Sequence, residues 1–230
     1  MIILSIDTTG QTASVALVDE NHTIGEFTVS NKMTHSQILM PMIDHLINTS
    51  QMALENVDYI ACAQGPGSFT GIRIGAAAAK ALAHGLNKLM IPVPTLDGLA
   101  YNVYNRDYIV IPVMDARRKQ VYSAFYSWKE GRLVRLTEYL ADELEQVLEK
   151  AACYDKAVFL GDGALLYGEE IQTYNPGFSL APANSSLQRA ASVGALALEL
   201  AKKGEAIPYD RFVPFYLRKP QAERERENKQ

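Results

Sequence analysis

Cysteine is scarce in this chain. Cys62 and Cys153 are the only two in 230 residues, and no Cys-x-x-Cys pair exists, which excludes a zinc ribbon and a disulfide-stapled scaffold. Cys62 lies in an apolar run and reads as a buried free thiol. Histidine is sparse too. His22, His35, His45 and His84 form no His-x-x-x-His pair, which argues against a helical metal site and a metallopeptidase. No Gly-x-Ser-x-Gly elbow is present. Positive charge is in deficit: the formal net charge is −4, which argues against a protein that grips nucleic acid by itself. Arg117, Arg118 and Lys119 form the one tight basic group, and a solvated turn accounts for it. No stretch reaches the roughly 18 apolar residues needed to cross a bilayer, because Lys80 interrupts the alanine-rich run. MIILSID enters a strand pattern with no basic leader. A cytoplasmic protein without membrane contact is expected.

What is present repeats. MIILSIDTTGQTASVALVDENHTIGEFTVS reads as an apolar run, Asp7, a polar turn, a strand, a second turn and a third strand. YIVIPVMDARRKQVYSAFYSWKEGRLVRLT, from Tyr108, repeats that order, aligning Asp7 with Asp115 and Gly25 with Gly131. Each meander leads into a helical segment, a strand ending in Gly-x-Gly (YIACAQGPG, AVFLGDG) and another helical segment. This pattern predicts a duplicated α/β unit, an actin-like (ASKHA, RNase H-like) fold of two β-meander/α units facing a cleft. The halves are expected at residues 1–103 and 104–220, with 221–230 (QAERERENKQ) a charged, disordered tail. In such a fold Asp7 and Asp115 both point into the cleft.

Two helices are unusual. Thr34 and Gln37 fit a capping box, with Met33 and Ile38 as hydrophobic staple. Ile38, Leu39, Met42, Ile43 and Leu46 then form a core face at helical spacing. Pro41 interrupts that helix at a cost of about 3 kcal/mol, and Met40 and Ile47 widen its apolar stripe. Contact with the protein's own sheet explains the stripe, and so does a helix from a partner. The segment after GPGS is small on nearly every side, with Gly71 and Gly75 each costing about 1 kcal/mol relative to alanine. Tight internal packing and a partner are again both open. GPGSFTGIR itself fails the Walker pattern, having no Gly-Lys pair, and fails Gly-x-Gly-x-x-Gly at Thr70. Ser68 or Thr70 is left to cap the following helix.

IDTT, HSQILMPMIDHL, GPGSFTGIRIG with AKALAHG, DARRKQVY and the late PFYLRKP together resemble the bacterial TsaB (YeaZ) family of tRNA threonylcarbamoyladenosine biosynthesis proteins. The resemblance runs from Ile3 to about Asp162 and into that late segment. It implies a non-catalytic paralogue of a metal-bearing catalytic subunit, TsaD, with which it pairs. With an accessory ATPase, TsaE, that pair transfers a threonylcarbamoyl group to the adenosine beside the anticodon. The tRNA is then met only through the complex, and the chain has no catalytic or metal residues of its own. The family also self-associates as a homodimer through the same surface. That surface maps to helices at 35–48 and 70–85, with His35, Ser36, Met40, Pro41, Ile47, Gly71, Arg73, Ile74, Gly75, Ala78 and Leu82 as contact residues. Asp7, Thr8, Thr9 and Asp115 would form a vestigial nucleotide loop, with no cofactor beyond weak nucleotide binding. The alternative is an autonomous ATPase or small-molecule kinase of the same superfold, with Asp7 or Asp115 as base or Mg²⁺ anchor. Phosphoryl transfer needs phosphate loops from both halves, and the bulky Arg117-Arg118 turn opposes that reading.

Overall fold

The computed structural model describes residues 1–31 and 33–218; the tail expected at 221–230 lies outside them. The first sheet runs β3-β2-β1-β4-β5, from Ile2–Asp7 (β1), Ala13–Asp19 (β2), Thr23–Val29 (β3), Tyr59–Ala63 (β4) and Leu89–Val93 (β5). β1, β2 and β3 pair antiparallel, while β4 and β5 continue parallel to β1. β1 is buried along nearly its whole length rather than at alternate positions, because helices cover both faces of this sheet. Edge strand β3 is exposed or half-buried throughout.

The second sheet repeats the order with its outer strands broken. Ile109–Asp115 (β6) pairs antiparallel with Gln120–Ser123 (β7) and Tyr126–Lys129 (β8), and parallel with Ala157–Leu160 (β11). Arg132–Arg135 (β9) joins β8, Leu140–Glu143 (β10) joins β7, and Phe178–Leu180 (β12) closes the far edge. Matching Gly25 with Gly131 is corrected here. Gly25 pairs with Leu17 inside β3, whereas Gly131 has φ +78 in the β8–β9 turn.

Helices α1 (His35–Ser50) and α2 (Phe69–Leu86) cover one face of the first sheet. Helices α4 (Leu144–Ala151), α5 (Asp162–Leu166) and α6 (Gly168–Tyr174) pack on the second. The two remaining helices cross over. α3 (Thr95–Ala100), which follows β5, buries Leu96, Leu99 and Ala100 against Val110, Met114, Tyr126 and Leu160 of the second sheet. α7 (Ala190–Lys202), which follows β12, buries Ala190, Val193 and Ala197 against Ile3, Ala16 and Ile91 of the first. Residues 205–218 also return: Ile207 bridges Met90, and Phe212 is sealed in the core beneath α1 and α2. A division at 103/104 therefore separates the sheets in sequence but not the layers that cover them.

Glu26 on β3 fixes the start of α7. Its carboxylate accepts from Arg189 Nε and Nη2 at 3.1 and 2.5 Å and from the Ala191 N–H at 2.9 Å. Glu26→Ala leaves that guanidinium and N–H unpaired, with an expected loss of about 2 kcal/mol readable by urea unfolding.

Candidate functional site

Ser68 begins the site by capping α2: its Oγ accepts from the Gly71 N–H at 3.2 Å. The Ser68 N–H donates to the Thr9 carbonyl at 2.7 Å, which ties the β1–β2 turn to the start of the helix. Within that turn Asp7 is 1% exposed. One carboxylate oxygen accepts from the Thr9 N–H at 2.8 Å and the Thr9 hydroxyl at 2.6 Å. Burial pushes the Asp7 carboxyl up to about 6, against the lowering effect of those two bonds and of His35. Thr8 is buried as well, its hydroxyl donating to the Gly71 carbonyl at 2.7 Å. The hydroxyls of Thr8 and Thr9 are thus both spent inside the protein.

A cleft of about 620 Å³ lies between the lobes. Thr9, Gly10, Ser68 and Thr70 line it from the first lobe, and Asp115, Ala116, Arg117, Tyr122 and Asp162 from the second. Phe215–Arg218 line it too. The Asp115 carboxylate accepts from the Arg117 N–H at 2.8 Å. The Asp162 carboxylate accepts from the N–H groups of Asp115 at 3.2 Å and Gly163 at 3.0 Å. Burial raises the Asp162 carboxyl, with the Asp115 charge adding to it against the lowering bonds. Arg117, Arg118 and Lys119 all adopt left-handed backbone, with φ of 65, 55 and 60. The expected nucleotide loop is corrected accordingly: Asp115 reaches the cleft, but Asp7 lies closed beneath the turn. Asp162, Tyr122 and the Phe215–Arg218 segment are the lining residues that sequence reasoning missed. They lie within AVFLGDG, DARRKQVY and PFYLRKP, stretches in which only the glycines, Asp115 and the basic turn stand out.

The other part of the site is the outer surface of α1 and α2. α1 runs through Pro41 from His35 to Ser50 and opens on the expected capping box of Thr34 and Gln37. The Gln37 side chain accepts from the Thr34 N–H at 3.3 Å, while the Gln37 N–H goes to the Thr34 carbonyl. Met33, expected as the staple, is half exposed. Ser36, Met40 and Pro41 face solvent, Met40 at 49% exposure, and Ile47 is half-buried. On α2, Arg73 is exposed and Ile74, Ala78 and Leu82 are half-buried at the outer edge of the core. His35 turns back, with Nε2 3.1 Å from the Gly10 carbonyl oxygen. Gly71 and Gly75 are corrected. Both are buried against the protein's own turn, where a Cβ on Gly71 would stand 2.0 Å from the Thr8 carbonyl oxygen and one on Gly75 2.5 Å from Thr8 Oγ1. They let α2 lie close against the β1–β2 turn, and neither is open at the surface.

Residues 23–226 match the family model described as TsaD: tRNA N6-adenosine threonylcarbamoyltransferase. The tRNA threonylcarbamoyladenosine biosynthesis protein TsaB of Bacillus subtilis (strain 168) is 37% identical over 230 residues, covering 97% of this chain and 96% of that protein. The chain belongs to the TsaB (YeaZ) family. A second TsaB, from Escherichia coli (strain K12), is 29% identical and covers 95% of each chain. Among solved structures, YeaZ from Pseudomonas aeruginosa superposes with a TM-score of 0.79 at 28% identity, covering 94% of this chain and 99% of that one. An activator of the 2-hydroxyisocaproyl-CoA dehydratase from Clostridium difficile, with bound ADPNP, is similar at a TM-score of 0.52 and 10% identity, covering 89% and 97%. That second likeness is one of fold alone. This chain thus has the duplicated actin-like fold. Among the described residues no helix is long and apolar enough to cross a membrane.

Proposed function

We propose that this chain is a non-catalytic scaffold subunit in tRNA threonylcarbamoyladenosine biosynthesis, docking a metal-bearing TsaD-like paralogue through the outer faces of α1 and α2. The observation that carries the reading is that surface: exposed Met40 and half-buried Ile47, Ile74, Ala78 and Leu82 leave apolar area along the outer edge of the α1/α2 core. An apolar centre with a polar rim is the usual composition of a protein interface. The same face serves a homodimer when the paralogue is absent, so the two assemblies compete. A TsaE-like ATPase and the tRNA join through the complex, and with a net charge of −4 the chain alone holds tRNA poorly. No cofactor is required, and any nucleotide binding in the cleft is weak.

The test is gel filtration of the chain mixed with its catalytic paralogue at micromolar concentration. Co-elution at the mass of the heterodimer is the expected result, and two separate peaks would overturn the docking reading. The second reading, an autonomous ATPase or small-molecule kinase, draws on the cleft with Asp115 and Asp162 in its wall. Magnesium-dependent ATP turnover by the isolated chain, lost in Asp115→Asn, would establish it. None is expected, because the hydroxyls of the β1–β2 turn are occupied and phosphoryl transfer depends on positioned charge from both lobes.

A further inference from the structure

The segment Val213–Arg218 crosses the mouth of the cleft and is fastened to both lobes. On the first lobe the Phe215 N–H donates to the Gln64 carbonyl at 2.7 Å. The Tyr216 ring lies 4.8 Å from that of Phe69, and its hydroxyl accepts from Arg73 Nε at 3.1 Å. Arg73 in turn sits 3.8 Å over the Phe69 ring. On the second lobe Phe215 packs against Tyr139 with ring centroids 5.5 Å apart. Arg218 donates to the Gln120 side chain and to the Ala141 carbonyl. Moving the lobes apart breaks one of these two sets.

We propose that Val213–Arg218 is a clasp across the cleft, and that a partner docking over Arg73 tightens it. The proposal rests on the docking reading above. Arg73 is the link, exposed on α2 beside Ile74 and joined to Tyr216 and Phe69 at the cleft mouth. A guanidinium over an aromatic ring is held weakly while water competes for it and more firmly once water is excluded. A partner covering Arg73 removes that water, so Phe69, Arg73 and Tyr216 grip the segment harder and the lobes are held at a fixed separation. Coupling of this kind is reciprocal. A chain with a loosened clasp therefore docks its partner less well, although Tyr216 need not touch that partner.

Hydrogen exchange on the full chain tests both parts, reading residues 64–69 and 213–218, with α1 as the internal control in the free protein only. In the free protein Tyr216→Ala is expected to speed exchange in the two segments about tenfold while α1 is unchanged; Tyr216→Phe, which keeps the stack, should fall between. Exchange unaltered in both variants overturns the clasp. On adding the paralogue, the wild type is expected to gain about fivefold protection at 213–218, and Tyr216→Ala to bind about fivefold more weakly. Complex formation without that gain, or with equal affinities, overturns the coupling. Failure of the wild type to form a complex overturns the docking reading and the coupling together, while exchange in the free protein still decides the clasp.

Discussion

Ala78→Arg is expected to leave the chain folded and abolish docking, whereas Gly75→Leu, three residues earlier on the same helix, is expected to damage the fold itself. Ala78 is half-buried at the outer edge of the α1/α2 layer. An arginine there can carry its charge out to water over its own aliphatic stem, so the free protein should lose less than about 1 kcal/mol. In a complex the same guanidinium is trapped without a partner at the centre of the contact. Burying an unpaired charge costs about 3 kcal/mol or more, over a hundredfold in Kd. Gly75 faces inward, with Thr8 Oγ1 2.5 Å from where its Cβ would stand and Cys62 Sγ 3.6 Å away. Thr8 cannot yield freely, because its hydroxyl is bonded to the Gly71 carbonyl. Overpacking and the loss of that bond together should cost about 4 kcal/mol and lower Tm by roughly 10 °C. Thermal melts of the free variants and gel filtration with the paralogue separate the two effects. A folded Gly75→Leu variant that fails to dock would place Gly75 on the contact surface after all.

That contrast also shows what the sequence could carry. A glycine in a helix signals that something comes close, and the small residues at 71 and 75 were legible as such. The direction of approach was not, because it depends on how α2 is rotated over β1, and that is set by Ile72, Ala76 and Ala79 being drawn into the core. The repeated meander was readable because each half states its own order of apolar run, turn and strand. The exchange of α3 and α7 was hidden, since an apolar helix face does not encode which of two apolar sheets it will cover. The breaks that divide β7 from β8 and β9 from β10 likewise arise from pairing across the sheet. The clasp escaped for a related reason: its partners Gln64, Phe69, Arg73 and Gln120 lie some hundred positions or more away.

Asp7→Asn is expected to make the chain more stable at neutral pH and to remove a pH dependence that the wild type shows. The Asp7 carboxyl is pushed from its ordinary 3.8 up to about 6, chiefly by burial. Between those values the folded chain keeps a proton that the unfolded chain has released, so unfolding gives up a proton. The contribution of this one group to stability is therefore greatest below about pH 4, falls as pH rises toward 6, and above that bears the full cost of a buried charge. A shift of about two units corresponds to roughly 3 kcal/mol. Asparagine keeps an acceptor for the Thr9 N–H and hydroxyl, and no charge has to be buried. At pH 7.5 the variant should be more stable by about 2–3 kcal/mol, raising Tm by roughly 5–10 °C; at pH 4 the two should nearly coincide. Parallel stability curves across that range would show that the carboxyl titrates as an exposed one does. Docking should be unaltered at either pH, because Asp7 lies beneath the turn that supports α2 and not on its outer face. A variant that is more stable yet docks as the wild type does would mean that this carboxylate contributes nothing to the scaffold role.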